Sequence, residues 1–219
     1  GLCHTDISFY TGSVGTKKPL PLVLGHEISG KVVRAGSNYT QLINKNVIIP
    51  AVLPCGDCEI CNSGRENICQ AQLMPGNDFD GGFAKHIKVP AKQLCILPDD
   101  LNGIKLSAFS VVADAMTTPY QSMIKSKLVA KDVAIIIGVG GVGVYMVQHA
   151  KNRGANVIAL DIDNAKLEHA KNMGADYVLN TRGMADGDIK KHIRNLAKEH
   201  KLSTFGWKVF EMSGHGITR

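Results

Sequence analysis

A chain of 219 residues with 44% hydrophobic and 20% charged side chains has enough apolar material for one large or two small cores. It contains no apolar run near the roughly 18 residues of a membrane-spanning helix, and no charged-then-apolar signal pattern opens the sequence. A net charge of +6 suits anionic partners such as phosphate-bearing cofactors, but the basic residues are scattered and aromatics are only 5%, which argues against a base-stacking nucleic-acid platform.

Taken in chain order, residues 1 to about 110 hold short apolar runs at 27–33, 46–51 and 83–89 between Gly/Pro/Asn clusters, and these predict a β-rich barrel. Two segments here carry metal-type side chains: Gly1-Leu2-Cys3-His4-Thr5-Asp6 and Gly25-His26-Glu27. Each alone is a modest signal, since cysteine and histidine are often buried and satisfied. Together they offer soft, borderline and hard donors.

Between the second and third runs stand Cys55, Cys58, Cys61 and Cys69, spaced Cys-x2-Cys-x2-Cys-x7-Cys in a polar stretch. Two-residue gaps let a tight loop aim successive sulfurs at one point, and four thiolates close a tetrahedral zinc shell with no open position, so a structural zinc is expected. A disulfide scaffold would be shorter and denser in cysteine. Cysteines spaced for metal rather than pairing point to a reducing compartment, and the cytoplasm is the expected location.

From about residue 133 the pattern changes to alternating strands and helices. Apolar runs at 133–137, 157–160, 177–179 and 207–212 alternate with helical stretches at 142–152, 165–172 and 187–200, and a further helix is expected at about 115–127. This β-α-β-α-β-α-β order predicts a doubly wound parallel sheet. The densest basic group, Lys190, Lys191, His192 and Arg194, falls on the last helical pattern and reads as a solvated face.

The turn after the first of these strands reads Gly138-Val139-Gly140-Gly141-Val142-Gly143, a Gly-x-Gly-x-x-Gly match. Alone it is weak, because 23 glycines give chance hits. Its context raises it: it follows a buried-type strand, opens a helix, and precedes by about twenty residues an acidic residue, Asp161, at the end of the next strand. A pyrophosphate can then meet the positive end of the helix. Asp161 would accept hydrogen bonds from an adenosine ribose and, with Asp163, repel a 2′-phosphate, so NAD is expected over NADP.

Taken together and in this order, the two N-terminal segments, the four-cysteine lobe, Gly81-Gly82-Phe83-Ala84 and the glycine turn resemble the zinc-dependent medium-chain alcohol dehydrogenases. The resemblance spans essentially the whole chain. It implies an α/β protein with a β-rich GroES-like catalytic domain at 1–110, lacking its N-terminal strand segment. A partial Rossmann doubly wound parallel sheet would follow at 111–219, lacking its C-terminal half. It also implies two zinc ions per chain, one structural and one catalytic. The catalytic ion would be held by Cys3, His26 and Asp114, the last standing where many members have cysteine, with Glu27 able to take the fourth position. Asp6 would orient His26 through its other ring nitrogen. Thr5 would take the substrate proton, and His4 would contact a cofactor phosphate. Ser8 stands where a histidine often ends the proton relay. Thr118 would pack against the nicotinamide and Lys166 would lie near the adenosine ribose.

The activity implied is oxidation of a secondary alcohol to a ketone: zinc acidifies the substrate hydroxyl and NAD takes the hydride. Within the family, the segments at 74–78, 81–83, 111–120 and 207–214 resemble the 6-hydroxycyclohex-1-ene-1-carbonyl-CoA dehydrogenases of anaerobic benzoyl-CoA breakdown. That branch implies a cyclic hydroxyacyl-CoA substrate and a homo-oligomeric parent, with neither nucleic acid nor membrane as partner. A general alcohol or polyol dehydrogenase is the alternative within the family. Two other classes remain. A nucleic-acid-binding zinc protein leaves the glycine turn and Asp161 unexplained, and a non-catalytic structural fragment leaves an open sheet edge.

Overall fold

In the computed structural model, which describes residues 1–214, the chain divides between Ala115 and Met116 into two units. In the first, β1 (Ile28–Lys31), β2 (Asn46–Ile49) and β3 (Cys95–Ile96) form an antiparallel sheet in that order, with Ile28 opposite Ile49 and Val47 opposite Ile96. Successive strand residues face opposite sides, and β2 is buried on both. Ile49 packs with Ile28 and Leu53 beneath Ile87 and Val89, whereas Ile48 packs with Leu97 and Ala113 beneath Leu106 and Phe109.

Three features of this unit differ from the sequence expectations. The run at 83–89 forms no strand. Its start bonds to the 23–25 loop instead, Gly82 N–H to Gly25 O (2.8 Å) and Phe83 N–H to Leu24 O (3.0 Å), while Ile87 and Val89 pack as irregular chain. Apolar spacing there records burial, but no strand edge is available to it. A short helix not foreseen, α1 (His4–Tyr10), starts at Cys3, where Asp6 Oδ2 accepts the Cys3 N–H at 2.9 Å and closes a capping box. Finally, a 3₁₀ helix at Leu106–Ala113 covers one face of the sheet. Because it packs there, the unit extends past the expected boundary at 110/111, and Asp114 falls in the same unit as Cys3 and His26.

The four-cysteine lobe is an excursion from this unit, closed at its neck by reciprocal backbone bonds between Leu53 and Leu73 (2.8 and 2.9 Å). Within it, α2 (Glu59–Asn62) and a 3₁₀ turn at Glu66–Ile68 are each a single turn. Such short pieces have little hydrophobic core of their own and need a cross-link to hold them.

The second unit contains α3 (Thr117–Ser126), β4 (Val133–Ile137), α4 (Gly143–Asn152), β5 (Asn156–Asp161), α5 (Asn164–Asn172), β6 (Tyr177–Asn180), α6 (Asp186–Glu199) and β7 (Lys208–Glu211). The strands are all parallel in the order β6-β5-β4-β7. This is the 3-2-1-4 start of a doubly wound sheet. One face is covered by Met123 of α3, Met146 and Val147 of α4 and Leu167 of α5; the other receives Ile193 of α6 over Ile135, Ile158 and Leu160. With both faces covered, β4 and β5 read as continuous apolar runs. Every expected element from 115 onward is present, with its ends within two residues of those expected. Lys190, Lys191, His192 and Arg194 lie exposed on α6, as their pattern predicted. Among the described residues, no helix is long and apolar enough to cross a membrane.

Candidate metal and nucleotide sites

Three segments of the first unit converge on one cluster. Cys3 begins α1, His26 precedes β1, and Asp114 ends the 3₁₀ helix, whose position is fixed by Ser29 Oγ–H to Leu106 O (2.7 Å) and Ala51 N–H to Ala113 O (3.2 Å). The donor atoms of Cys3, His26 and Asp114 all lie within 4.8 Å of one another. Asp114 Oδ2 is 3.4 Å from His26 Nε2 and 3.7 Å from Cys3 Sγ. Donors on a shared tetrahedral zinc stand about 3.3–3.5 Å apart given bond lengths of roughly 2.0–2.3 Å, so these distances suit one ion.

Burial supports the same conclusion. His26 is 1% exposed, yet neither ring nitrogen has a hydrogen-bond partner of good geometry. An unsatisfied buried polar atom costs about 1–3 kcal/mol, and a metal at Nε2 would remove that cost. Asp6, 2% exposed, holds the other side of the ring: its Oδ1 lies 3.3 Å from His26 Nδ1 and accepts the Gly25 N–H at 3.0 Å, while its Oδ2 holds Cys3. One carboxylate thus positions both segments that carry a donor. The charge state is equally marked. Burial alone would lower the His26 pKa, but the Asp114 carboxylate, Cys3 and Asp6 outweigh it and raise it to about 10. The neighbouring His26 ring lowers that of Cys3. A metal bound by these donors would take the place of protons on the thiol and the ring.

The remaining residues expected at this centre are placed as follows. Thr5 Oγ1 is 3.7 Å from Cys3 Sγ. His4 is exposed at the first position of α1. Glu27 is buried beside His26, but its Oε1 accepts the Ala115 N–H at 3.2 Å and its carboxylate stands outside the three-donor cluster. Ser8 lies in α1, where its carbonyl accepts from Thr11 Oγ1 and Ser13 Oγ.

Cys55, Cys58, Cys61 and Cys69 form a second cluster, with no disulfide. Their sulfurs are 3.5 Å (58 to 61 and 69 to 55) and 3.9 Å (55 to 61 and 58 to 69) apart. A tetrahedral shell with Zn–S of about 2.3 Å requires roughly 3.8 Å between sulfurs, and disulfide sulfurs would sit near 2 Å. The thiols titrate apart: a Cys55 N–H bond lowers Cys69 to about 7, whereas burial pushes Cys61 up to about 12. With a cation bound, all four could ligate as thiolates.

In the second unit, the glycines of the turn divide by function. Gly138 has φ +82° and an added Cβ would stand 2.7 Å from Ser213 Cβ; at Gly143 a Cβ would meet Gly138 O at 1.9 Å. Packing alone dictates those two. A Cβ at Gly140 or Gly141 would meet nothing within 4 Å. The protein itself does not need them small, and open space remains where a pyrophosphate could approach the start of α4 beyond Val142.

Asp161 does more than the sequence reading gave it. Its Oδ2 accepts the Val139 N–H (2.9 Å), and its Oδ1 accepts the N–H groups of Ile162 (2.8 Å) and Asp163 (3.0 Å). The carboxylate braces the glycine turn against the end of β5. Asp163 caps α5 by accepting from Ala165 and Lys166, whose side chain is exposed; Thr118 is exposed in the first turn of α3. Arg182, just past β6 at the same end of the sheet as Asp161, had no part in the sequence reading.

Comparison with known proteins bears on both units. Residues 1–99 match the alcohol dehydrogenase GroES-like domain, and residues 141–218 match the zinc-binding dehydrogenase domain. An alcohol dehydrogenase of Geobacillus stearothermophilus is 35% identical over all of this chain and 64% of its own length, and sorbitol dehydrogenase of Bacillus subtilis is 31% identical over 95% and 58%. The crystal structure of galactitol-1-phosphate dehydrogenase from Escherichia coli superposes with a TM-score of 0.84 at 29% identity, over 98% of this chain and 59% of that one. The chain thus spans about three-fifths of the length of these relatives. It belongs to the zinc-type medium-chain alcohol dehydrogenase family, with a GroES-like unit followed by a Rossmann-like one.

Proposed function

We propose that the protein is a zinc-dependent oxidoreductase that oxidises secondary alcohols or polyols with NAD, and that it holds two zinc ions per chain, one structural and one catalytic. The observation that carries this is the Cys3–His26–Asp114 cluster, with a buried histidine nitrogen lacking a partner, in a chain that also has a glycine turn braced by Asp161. A zinc ion held by Cys3, His26 and Asp114 would acidify a substrate hydroxyl and polarise the carbonyl in the reverse direction, and NAD would accept the hydride. The chain's own residues do the rest. Asp6 fixes His26 and Cys3, Thr5 takes up the substrate proton, and exposed His4 with water carries it onward. Glu27 can supply a fourth donor when no substrate is present. Asp161 receives the ribose hydroxyls and repels a 2′-phosphate. Cys55, Cys58, Cys61 and Cys69 hold the structural ion.

The relatives named for sorbitol and galactitol-1-phosphate favour a polyol substrate. A narrower reading, a ring alcohol carried on CoA, rests on the likeness of the segments at 74–78 and 111–120 to that branch. One screen separates them: NAD reduction by zinc-replete protein at its natural length, with polyols, simple secondary alcohols and 6-hydroxycyclohex-1-ene-1-carbonyl-CoA as substrates. Turnover of alcohols that is lost in Asp114→Ala supports the general reading. Thioester turnover well above that of every free alcohol selects the CoA reading. Absence of NAD reduction with all of them would overturn both.

A further inference from the structure

Two acids, Asp161 and Asp163, and two cations, Lys166 and Arg182, stand near the ends of β5 and β6. Arg182 follows β6, and its Nε donates to the Ile162 carbonyl at 3.1 Å, while its backbone N–H donates to Asn180 Oδ1 at 2.9 Å. Asn180 Nδ2 also reaches Ile162 O (3.5 Å) and bonds Asn164 Oδ1. The ends of β5 and β6 and the start of α5 are thus stapled around the peptide that directly follows Asp161. An arginine that is merely solvated leaves Nε in water. Here the side chain is tethered, and its four other N–H groups meet no carboxylate at ion-pair distance among the described residues. Lys166, exposed in the first turn of α5, also forms no ion pair among the described residues. Asp163, the other acid nearby, is occupied in capping α5.

A planar guanidinium whose position is already fixed suits a phosphate, because its fork accepts two oxygens and little side-chain freedom remains to be lost. We propose that Arg182, assisted by Lys166, is a second determinant of cofactor choice: a tethered guanidinium at the adenosine end that can take a 2′-phosphate and is held off it by the Asp161 carboxylate. The proposal rests on the dinucleotide reading of the glycine turn. It adds that the preference for an unphosphorylated ribose comes chiefly from repulsion by Asp161, beside cations suited to the opposite choice.

The test is calorimetric binding of 5′-AMP and adenosine 2′,5′-bisphosphate to the whole protein. Asp161→Asn is the variant to use, since an amide oxygen can still accept the Val139 N–H. Wild type should bind AMP and take the bisphosphate roughly tenfold or more weakly, and Asp161→Asn should reverse that order, as one charge-assisted contact is worth about a decade in affinity. Adding Arg182→Ala should cost the bisphosphate at least about fivefold more than it costs AMP. If the double variant keeps the gain in full, the proposal is overturned. Should Asp161→Asn not fold, Arg182→Glu in the wild-type background serves: an unchanged ratio of bisphosphate to AMP affinity overturns the proposal equally. Failure of wild type to bind AMP would instead bring down the dinucleotide reading and this proposal with it.

Discussion

At the scale of single residues, Asp6 carries an outsized share of the metal centre. It accepts from the Cys3 and Gly25 N–H groups and faces His26, all in a buried setting. Asp6→Ala leaves two backbone donors without partners at about 1–3 kcal/mol each, so unfolding measurements should show a loss of roughly 2–5 kcal/mol. Because the His26 ring also loses its support, zinc at the three-donor site should bind about 10- to 100-fold more weakly. Asp6→Asn keeps one acceptor and should fall between. Zinc bound by Asp6→Ala as tightly as by wild type would show that the cluster holds its geometry without this residue. The role of Asp6 was legible in the sequence only through likeness to a family. Its link to Gly25 was not, since a long-range hydrogen bond leaves no local pattern.

At the scale of elements, legibility followed local physics. The second unit was readable because strands buried on both faces are continuous apolar runs, and each alternates with a helix of ordinary length. The first unit was less so. Strands of two to four residues are shorter than the window that periodicity needs, the run at 83–89 is buried without being a strand, and α1 depends on Asp6 more than on helix propensity. The glycine turn offers a sharper test. Gly138→Ala must accommodate positive φ and a 2.7 Å contact with Ser213, so a destabilisation of several kcal/mol is expected. Gly140→Ala meets no atom of the protein and should stay within about 0.5 kcal/mol of wild type while NAD binding weakens markedly. Thermal melts with and without NAD separate the two. Equal NAD affinity in folded Gly140→Ala would mean that the cofactor does not approach that backbone.

At the scale of the whole molecule, the two clusters make different demands on the fold. The four-cysteine lobe is made of single turns, so its metal acts as a cross-link; the three-donor cluster sits against a formed sheet and 3₁₀ helix that hold their shape through apolar packing. The structural ion should therefore govern stability, and the other should govern chemistry. The direct measurement is the zinc content of folded, metal-replete protein, wild type beside Cys58→Ser and Asp114→Ala, read together with thermal unfolding. The account predicts two zinc ions per chain in wild type. It predicts one in Asp114→Ala with the melting temperature little changed, and loss of the lobe's zinc in Cys58→Ser with a broad drop in stability. A single zinc in well-folded wild type would contradict it.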